Sequence, residues 1–150
     1  MDKILVPIDG SPTSEHAAEK AIDVAKKYNS SLTFLLIAKK PEIIGTGSGG
    51  TGTIFGSKEY MDELKEEQQK TMDHFIGKLH LEGVEHNQVV LLGEPYEEII
   101  ELAKKDGYDL IVMGRRGFSK ITRFFLGSVS HRVLSGAPCP VLIIPEKTDQ

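Results

Sequence analysis

The sequence predicts an α/β protein, an open parallel sheet of five strands with helices on both faces. Four aliphatic runs, at residues 3–8, 31–38, 109–113 and 140–145, are too short for helices and too apolar for exposed strands, and a weaker run covers 84–92. Segments with helical periodicity separate these runs. Such alternation is typical of βαβ units, whose parallel strands are buried in one sheet.

The helices between the strands are predicted from apolar spacing and from boundary residues. Ser11 and Pro12 supply a side-chain cap and a first-turn proline to the first helix. Glu94 and Pro95 begin the third, which has acidic residues at the positive end of its dipole. The four helices are predicted over residues 13–28, 57–81, 95–105 and 128–134.

Length and composition predict one domain over residues 1–150, with 39% hydrophobic and 27% charged residues. The net charge of −4 argues against broad nucleic-acid binding. No apolar run approaches the roughly 20 residues that span a bilayer, so membrane insertion is not expected. Cys139 is the only cysteine, which excludes an intrachain disulfide and favours the cytoplasm as the compartment.

Residues 45–56, between the second strand and the second helix, are rich in Gly, Ser and Thr and are predicted to form a flexible loop. Residues 45–50 satisfy G-x-G-x-x-G, but no strand immediately precedes them and no helix begins there. A linker is therefore favoured over a dinucleotide-binding fingerprint. Ordering of the loop by a ligand or a partner stays an open alternative.

The main candidate site follows the fourth strand, in the pattern Gly114-x2-Gly117-x9-Gly127-Ser128. Gly114 is predicted to end the strand, and Gly117 to allow close approach of the backbone. Gly127 and Ser128 are predicted to place free N–H groups at the start of the next helix, where phosphates bind well. The hydroxyls of Ser128 and Ser130 are further candidates for phosphate oxygens or for the shell of a magnesium ion.

Positive charge is concentrated in the same segment. No Asp or Glu occurs between Asp109 and Glu146. A guanidinium from Arg115 or Arg116 is predicted to neutralise a bound phosphate. The alternative is an ordinary strand-to-helix turn whose arginines extend into solvent. All the arginines of the chain lie in or just after the segment: Arg115, Arg116, Arg123 and Arg132.

Asp9 lies between the first strand and the first helix, at the same edge of the predicted sheet. Its carboxylate can accept a hydrogen bond from a ribose hydroxyl or a base amine, or it can serve as a turn residue in the sequence Asp-Gly-Ser. Both interpretations stay open. The five histidines show no metal-ligand spacing, so no metal site is predicted from side chains.

These residues together resemble the universal stress protein family, in its ATP-binding branch, over essentially the whole chain. The resemblance is strongest in KILVPIDGS, in DLIVMGRRG and in LLGSVSHRVLSGAPCPVLIIP. The family's ATP-binding signature, G-x2-G-x9-G-[ST], is intact, and the branch that does not bind ATP lacks it. The resemblance implies a Rossmann-like sheet of strand order 3-2-1-4-5.

The resemblance also implies roles for individual residues. Asp9 corresponds to the adenine and ribose contact, Pro7 and Ile37 line the base pocket, and Met113 flanks it. The last strand, over residues 140–144, corresponds to the edge through which members form homodimers. The implied phosphate-binding set is Gly114, Arg116, Gly117, Gly127, Ser128, Val129 and Ser130.

The function expected from the resemblance is that of a regulatory protein that holds ATP, with Mg²⁺ or Mn²⁺, and couples occupancy or slow hydrolysis to a stress response. Two alternatives stay open: an ATPase or kinase-type enzyme of modest rate, and a structural dimerisation module. No catalytic residue stands out, although phosphoryl transfer can depend on positioning and electrostatics alone. The sequence does not identify a downstream protein partner.

Overall fold

The computed structural model describes residues 1–40, 58–117 and 126–147, so the predicted glycine-rich loop at 45–56 lies outside the described residues. The strands are β1 (Lys3–Ile8), β2 (Ser31–Ala38), β3 (His86–Leu92), β4 (Leu110–Gly114) and β5 (Val141–Ile144). The helices are α1 (Pro12–Tyr28), α2 (Lys58–Gly77), α3 (Pro95–Asp106) and α4 (Ser128–Gly136).

The five strands form one parallel sheet in the order β3-β2-β1-β4-β5, which confirms the predicted fold and strand order. β1 pairs with β2 along its whole length, whereas it pairs with β4 only through Ile4 with Leu110 and Leu5 with Ile111. The strand order reverses between β1 and β4. The carboxyl ends of strands at such a switch point border a crevice in which ligands of α/β sheets bind.

Apolar side chains pack on both faces of the sheet. Val6 and Phe34 belong to a core layer with residues of α1 and α2, and Leu5 and Leu35 belong to a second layer with residues of α3 and α4. Successive strand residues point to opposite faces, so a central strand with both faces covered must be apolar throughout. This explains the continuous apolar runs in the sequence.

The first helix begins as predicted. Ser11 is its N-cap: the Ser11 hydroxyl accepts a hydrogen bond from the backbone N–H of Ser14 at 3.2 Å, and Pro12 is the first helical residue. The helix ends at Asn29, which has a left-handed backbone (φ 56°) and donates its N–H to the Ala25 carbonyl. Local chemistry thus sets both ends of α1.

The second helix ends earlier than predicted, at Gly77 instead of Leu81. Beyond Gly77 the Leu79 N–H donates to the Ile76 carbonyl at 3.0 Å, a bond three residues back that tightens the chain out of the α-helix. Leu79 and Leu81 still pack against the core. Their apolar spacing therefore extended the predicted helix past its true end. No helix within the described ranges is long and apolar enough to cross a membrane.

Candidate functional site

A cavity of about 530 Å³ lies at the carboxyl ends of β1, β2 and β4 and is bordered by the first residues of α3 and α4. Its volume is within the range of small-molecule sites, which is about 300–1,000 Å³. All eleven candidate site residues from the sequence line it: Pro7, Asp9, Ile37, Met113, Gly114, Arg116, Gly117, Gly127, Ser128, Val129 and Ser130.

The cavity also has lining residues that the sequence analysis missed. Lys39 directly follows β2, and Pro95 begins α3. Both positions are at the carboxyl edge of the sheet, so the rule that ligands bind at this edge was a usable signal for them. Ser14 lies three residues before Ala17 and so shares the buried side of α1, a helical spacing that was also a usable signal. The full set of missed residues is Ile8, Ser14, Leu35, Lys39, Pro95 and Ile99.

One part of the cavity wall is apolar. Pro7 and Met113 are buried at the ends of β1 and β4, and Ile37 is half-buried near the end of β2. Ile99 of α3 and Leu35 of β2 lie in the same core layer as Met113 and also line the cavity. This wall can accept a flat, mostly apolar group.

Asp9 occupies the turn between β1 and α1. Its Oδ1 accepts a hydrogen bond from the Ser11 N–H at 2.9 Å, while its own N–H donates to the Ser14 hydroxyl at 3.4 Å. The turn role, one of the two interpretations left open, is therefore present in the structure. The second oxygen, Oδ2, points towards Gly117, and Asp9 is exposed where it lines the cavity.

Gly117 and Gly114 are glycines for different reasons. A Cβ atom at Gly117 would overlap Oδ2 of Asp9, so the absence of a side chain lets the Asp9 carboxylate lie against the loop after β4. A Cβ at Gly114 would lie 2.7 Å from Cγ2 of Thr13. Gly114 ends β4, as predicted, and it also lets the strand pack against the first turn of α1.

The start of α4 borders the cavity, but one predicted feature of it is wrong. The Gly127 N–H is not free: it donates to the Arg115 carbonyl at 2.8 Å and so closes the loop from β4 to α4. Ser128, Val129 and Ser130 are the first three residues of the helix, so their N–H groups have no acceptor within it. These amides and the helix dipole make this end favourable for an anion.

Ser130 is used differently from the prediction. Its side chain is buried, and its hydroxyl donates a hydrogen bond to the Gly114 carbonyl at 2.9 Å. A hydroxyl has one hydrogen, and the oxygens of a phosphate ester accept rather than donate. In this arrangement Ser130 ties α4 to β4, and the exposed Ser128 is the serine with the accessible hydroxyl.

The guanidiniums of Arg115 and Arg116 both form ion pairs with Glu146, which follows β5. Nη2 of Arg115 meets Oε2 of Glu146, and Nε of Arg116 meets Oε1. The two arginine side chains are 22% and 15% exposed, so the alternative in which they extend into solvent is wrong. Arg116 lines the cavity, and its guanidinium shares one carboxylate with that of Arg115, so the cluster of two cations and one anion keeps a net positive charge.

The Glu146 carboxylate is stabilised where it lies. Burial by itself would raise the pKa of Glu146, but a hydrogen bond from its own backbone N–H and the neighbouring Arg115 and Arg116 guanidiniums outweigh burial and hold the pKa below its ordinary value of 4.5. Glu146 is therefore an anion at neutral pH.

Two further cations of interest are Arg132 and Lys39. The Arg132 guanidinium lies 4.6 Å from the centre of the Tyr96 ring, and Arg123 lies outside the described residues. Lys39 lines the cavity. In the described part of the chain, no three His, Cys, Asp or Glu side chains gather in a way that would hold a metal ion.

The chain is similar over nearly its whole length to proteins of one family. The model of the universal stress protein family matches residues 1–145. The universal stress protein YxiE of Bacillus subtilis is 37% identical over 147 residues, which cover 95% of this chain and 98% of that protein. The universal stress protein MJ0531 of Methanocaldococcus jannaschii is 34% identical over 142 residues, covering 95% and 81%.

Solved structures resemble the fold closely. The structure of MJ0577, a protein of M. jannaschii, superposes with a TM-score of 0.77 and 27% identity over 99% of this chain and 98% of that one. A family protein of Arabidopsis thaliana with AMP bound has a TM-score of 0.66 at 19% identity, covering 100% and 95%. A universal stress protein in complex with cAMP has a TM-score of 0.61 at 22% identity, covering 97% and 98%.

Proposed function

Because this chain belongs to the universal stress protein family, we propose that it binds an adenine nucleotide in the cavity between the carboxyl ends of β1 and β4. The observation that carries the proposal is the make-up of this one cavity. It combines an apolar wall, a carboxylate in the turn after β1 and the N-terminus of a helix, at the switch point of a parallel sheet.

The base and the ribose fit the apolar side and the β1 turn. Pro7, Ile37 and Met113 offer a surface for the adenine ring. Asp9 already uses Oδ1 in its turn, so Oδ2 is the oxygen that accepts a hydrogen bond from a ribose hydroxyl or from the adenine amine. Support comes from the two distant fold relatives whose structures contain AMP and cAMP.

The phosphates fit the start of α4. The N–H groups of Ser128, Val129 and Ser130, together with the Ser128 hydroxyl, supply donors without a charged side chain. Lys39 adds a cation on the β2 side of the cavity, which favours a ligand with more than one phosphate. ATP is the proposed physiological ligand, in keeping with the intact glycine signature.

A divalent cation such as Mg²⁺ or Mn²⁺ fits this site as part of the nucleotide. Phosphate oxygens and water would supply most of its coordination, as is usual for magnesium with nucleotides. The Ser128 hydroxyl is the nearby protein oxygen suited to join that shell. The ion neutralises phosphate charge when it is bound.

The proposed biological role is regulatory: nucleotide occupancy changes what the protein contacts during stress, in the cytoplasm. A homodimer through β5 forms part of the proposal. Among the described residues, β5 pairs with β4 on one side only, and Leu142 on this edge strand is 39% exposed. A second copy would cover an apolar edge that is otherwise open to solvent.

Nucleotide binding is tested by calorimetric titration of the purified protein with ATP, AMP, cAMP, adenosine and GTP, after mass spectrometry of any nucleotide released on denaturation. We expect adenine nucleotides to bind and to raise the melting temperature. At a hundredfold excess over Kd, a ligand specific for the native state stabilises it by about 2.7 kcal/mol.

The test variant is Asp9→Asn, which keeps the size of the side chain and removes its charge. It should weaken binding of adenosine and of ATP by similar factors, since both contain the ribose and the base. The proposed function would be refuted if the wild type released no nucleotide on denaturation and showed no ligand-induced shift in melting temperature.

A further inference from the structure

Glu146 crosses from the end of β5 to the loop that follows β4. The Arg115 N–H donates to the Ile144 carbonyl at 2.8 Å, which brings the chain beyond β5 next to this loop. One carboxylate then serves two guanidiniums, those of Arg115 and Arg116, and is itself only 26% exposed. Shielded ion pairs of this kind are screened much less than surface pairs.

The segment that carries Glu146 is also anchored to α1. The Pro145 carbonyl accepts a hydrogen bond from Nδ1 of His16 at 2.8 Å, and Nζ of Lys147 lies 2.8 Å from Oε2 of Glu19. Residues on both sides of Glu146 are thus fixed to a different element. The carboxylate is held at the arginines by its backbone as well as by its charge.

We propose that Glu146 is a specificity-determining residue that sets how strongly the cavity favours additional phosphates. The inference rests on the proposed function, since it concerns the same nucleotide. Arg116 is the arginine that lines the cavity, and its guanidinium is paired with Glu146. A nucleotide phosphate that reaches Arg116 must compete with a carboxylate that is already in place.

The competition affects ligands unequally. The first phosphate is served by the amides at the start of α4, whereas the second and third need a further cation to offset their charge. Adenosine has no phosphate that could pair with Arg116. Glu146 therefore lowers affinity for ATP relative to AMP and leaves adenosine binding unchanged, and it does so through Arg116.

The test is calorimetric titration of wild type and Glu146→Gln with adenosine, AMP, ADP and ATP at low ionic strength. The ratio of ATP to AMP affinity should rise by about tenfold in the variant, equivalent to roughly 1.4 kcal/mol, and adenosine should bind as before. Glu146→Asp, which restores the negative charge, should return the ratio towards that of the wild type.

The matched control is Glu19→Gln. It breaks the ion pair with Lys147 on the same segment but does not face the cavity, so all four affinities should equal those of the wild type. A change in the ratio in this control would show that loosening the segment is enough, and would overturn the assignment to Glu146.

A double-mutant cycle tests whether Glu146 acts through Arg116. In an Arg116→Gln background, Glu146→Gln should no longer alter the ratio of ATP to AMP affinity. A gain that persists there overturns the inference, as does an unchanged or reduced ratio in the single variant. If the wild type binds no adenine compound, the proposed nucleotide-binding function is overturned as well. If it binds them but the ratio does not rise in Glu146→Gln, only the role of Glu146 is overturned.

Discussion

The loops that follow β1 and β4 both reach the cavity, but they are held in different ways. The β1 loop is stabilised within itself, by hydrogen bonds among Asp9, Ser11 and Ser14 that span at most five residues. The β4 loop is held from a distance: Ser130 bonds to Gly114 across 16 residues, and Glu146 pairs with Arg115 across 31. One side of the site is thus fixed by local sequence and the other by the assembled fold.

This difference predicts different behaviour. A locally bonded turn keeps its shape as long as its helix is capped, so changes there should be felt mainly in stability. A loop held by remote elements depends on each of them. Changes at the contacts between the two loops should therefore have the largest effects, and changes at the remote anchors of the β4 loop smaller ones.

The contact between the loops is broken most directly by Gly117→Val. The side chain would overlap Oδ2 of Asp9, so either the carboxylate or the β4 loop must move from its place at the cavity. Affinity for ATP should fall at least about 100-fold, or roughly 2.7 kcal/mol, in a titration. Gly77→Val, at a glycine with open space around it, should bind ATP as the wild type does. Near-normal affinity in Gly117→Val would show that the loops tolerate separation.

The packing of β4 on α1 is tested by Gly114→Ala. The new methyl group would lie 2.7 Å from Cγ2 of Thr13, and this overpacking should lower the free energy of unfolding by about 2 kcal/mol. Urea denaturation measures it. Gly77→Ala adds the same methyl group where nothing lies within 4 Å and should not destabilise the protein. Equal midpoints for the two variants would contradict the packing role.

The local network is tested by Ser11→Ala. The N-cap of α1 would lose its acceptor for the Ser14 N–H, which should cost about 1 kcal/mol of unfolding free energy. Ser135→Ala is the matched control, since this exposed serine donates only to the His131 carbonyl within α4. If both variants unfold at the same urea concentration, the cap does not stabilise the β1 turn.

The pairing of Glu146 with the two arginines is tested by the pH dependence of stability. Because the pKa of Glu146 is lowered in the folded protein, its contribution to stability is present above pH 4.5 and is lost as pH falls through the folded-state pKa. The stability difference between wild type and Glu146→Gln should be below about 1 kcal/mol at neutral pH. It should disappear in acid, as measured by urea denaturation at a series of pH values. A stability difference between the two proteins that grows as the pH falls would contradict a lowered pKa for Glu146.

The features that were predicted from sequence depend on residues close together in the chain or on the general geometry of parallel sheets. Strand positions follow from apolar runs, the start of α1 from Ser11 and Pro12, and the gathering of Asp9 with the β4 loop from the geometry of parallel sheets. The pairing of Glu146 with the arginines was not predictable in this way, because it depends on where the chain goes after β5. The hydrogen bonds of Ser130 and Gly127 likewise exist only once α4 is docked.

The arginines show most clearly which property could not be predicted from sequence, namely the pairing of charges in the fold. Their clustering, and the lack of acidic residues from 110 to 145, correctly indicated an unusual charge distribution, but it suggested unpaired cations. The first acidic residue after that gap, Glu146, is the one that folds back onto them. Charge counted along a sequence measures local excess, whereas charge in the fold depends on contacts between distant segments.

The fit of Gly117 against Asp9 has an evolutionary consequence. Residues 9 and 117 are far apart in the chain, yet a side chain at position 117 would compete with the Asp9 carboxylate for the same space. In relatives of this protein, a side chain at the position of Gly117 would turn the carboxylate of an Asp at position 9 away from its present place. We therefore expect Gly at position 117 to accompany Asp at position 9 in relatives that use this carboxylate for binding.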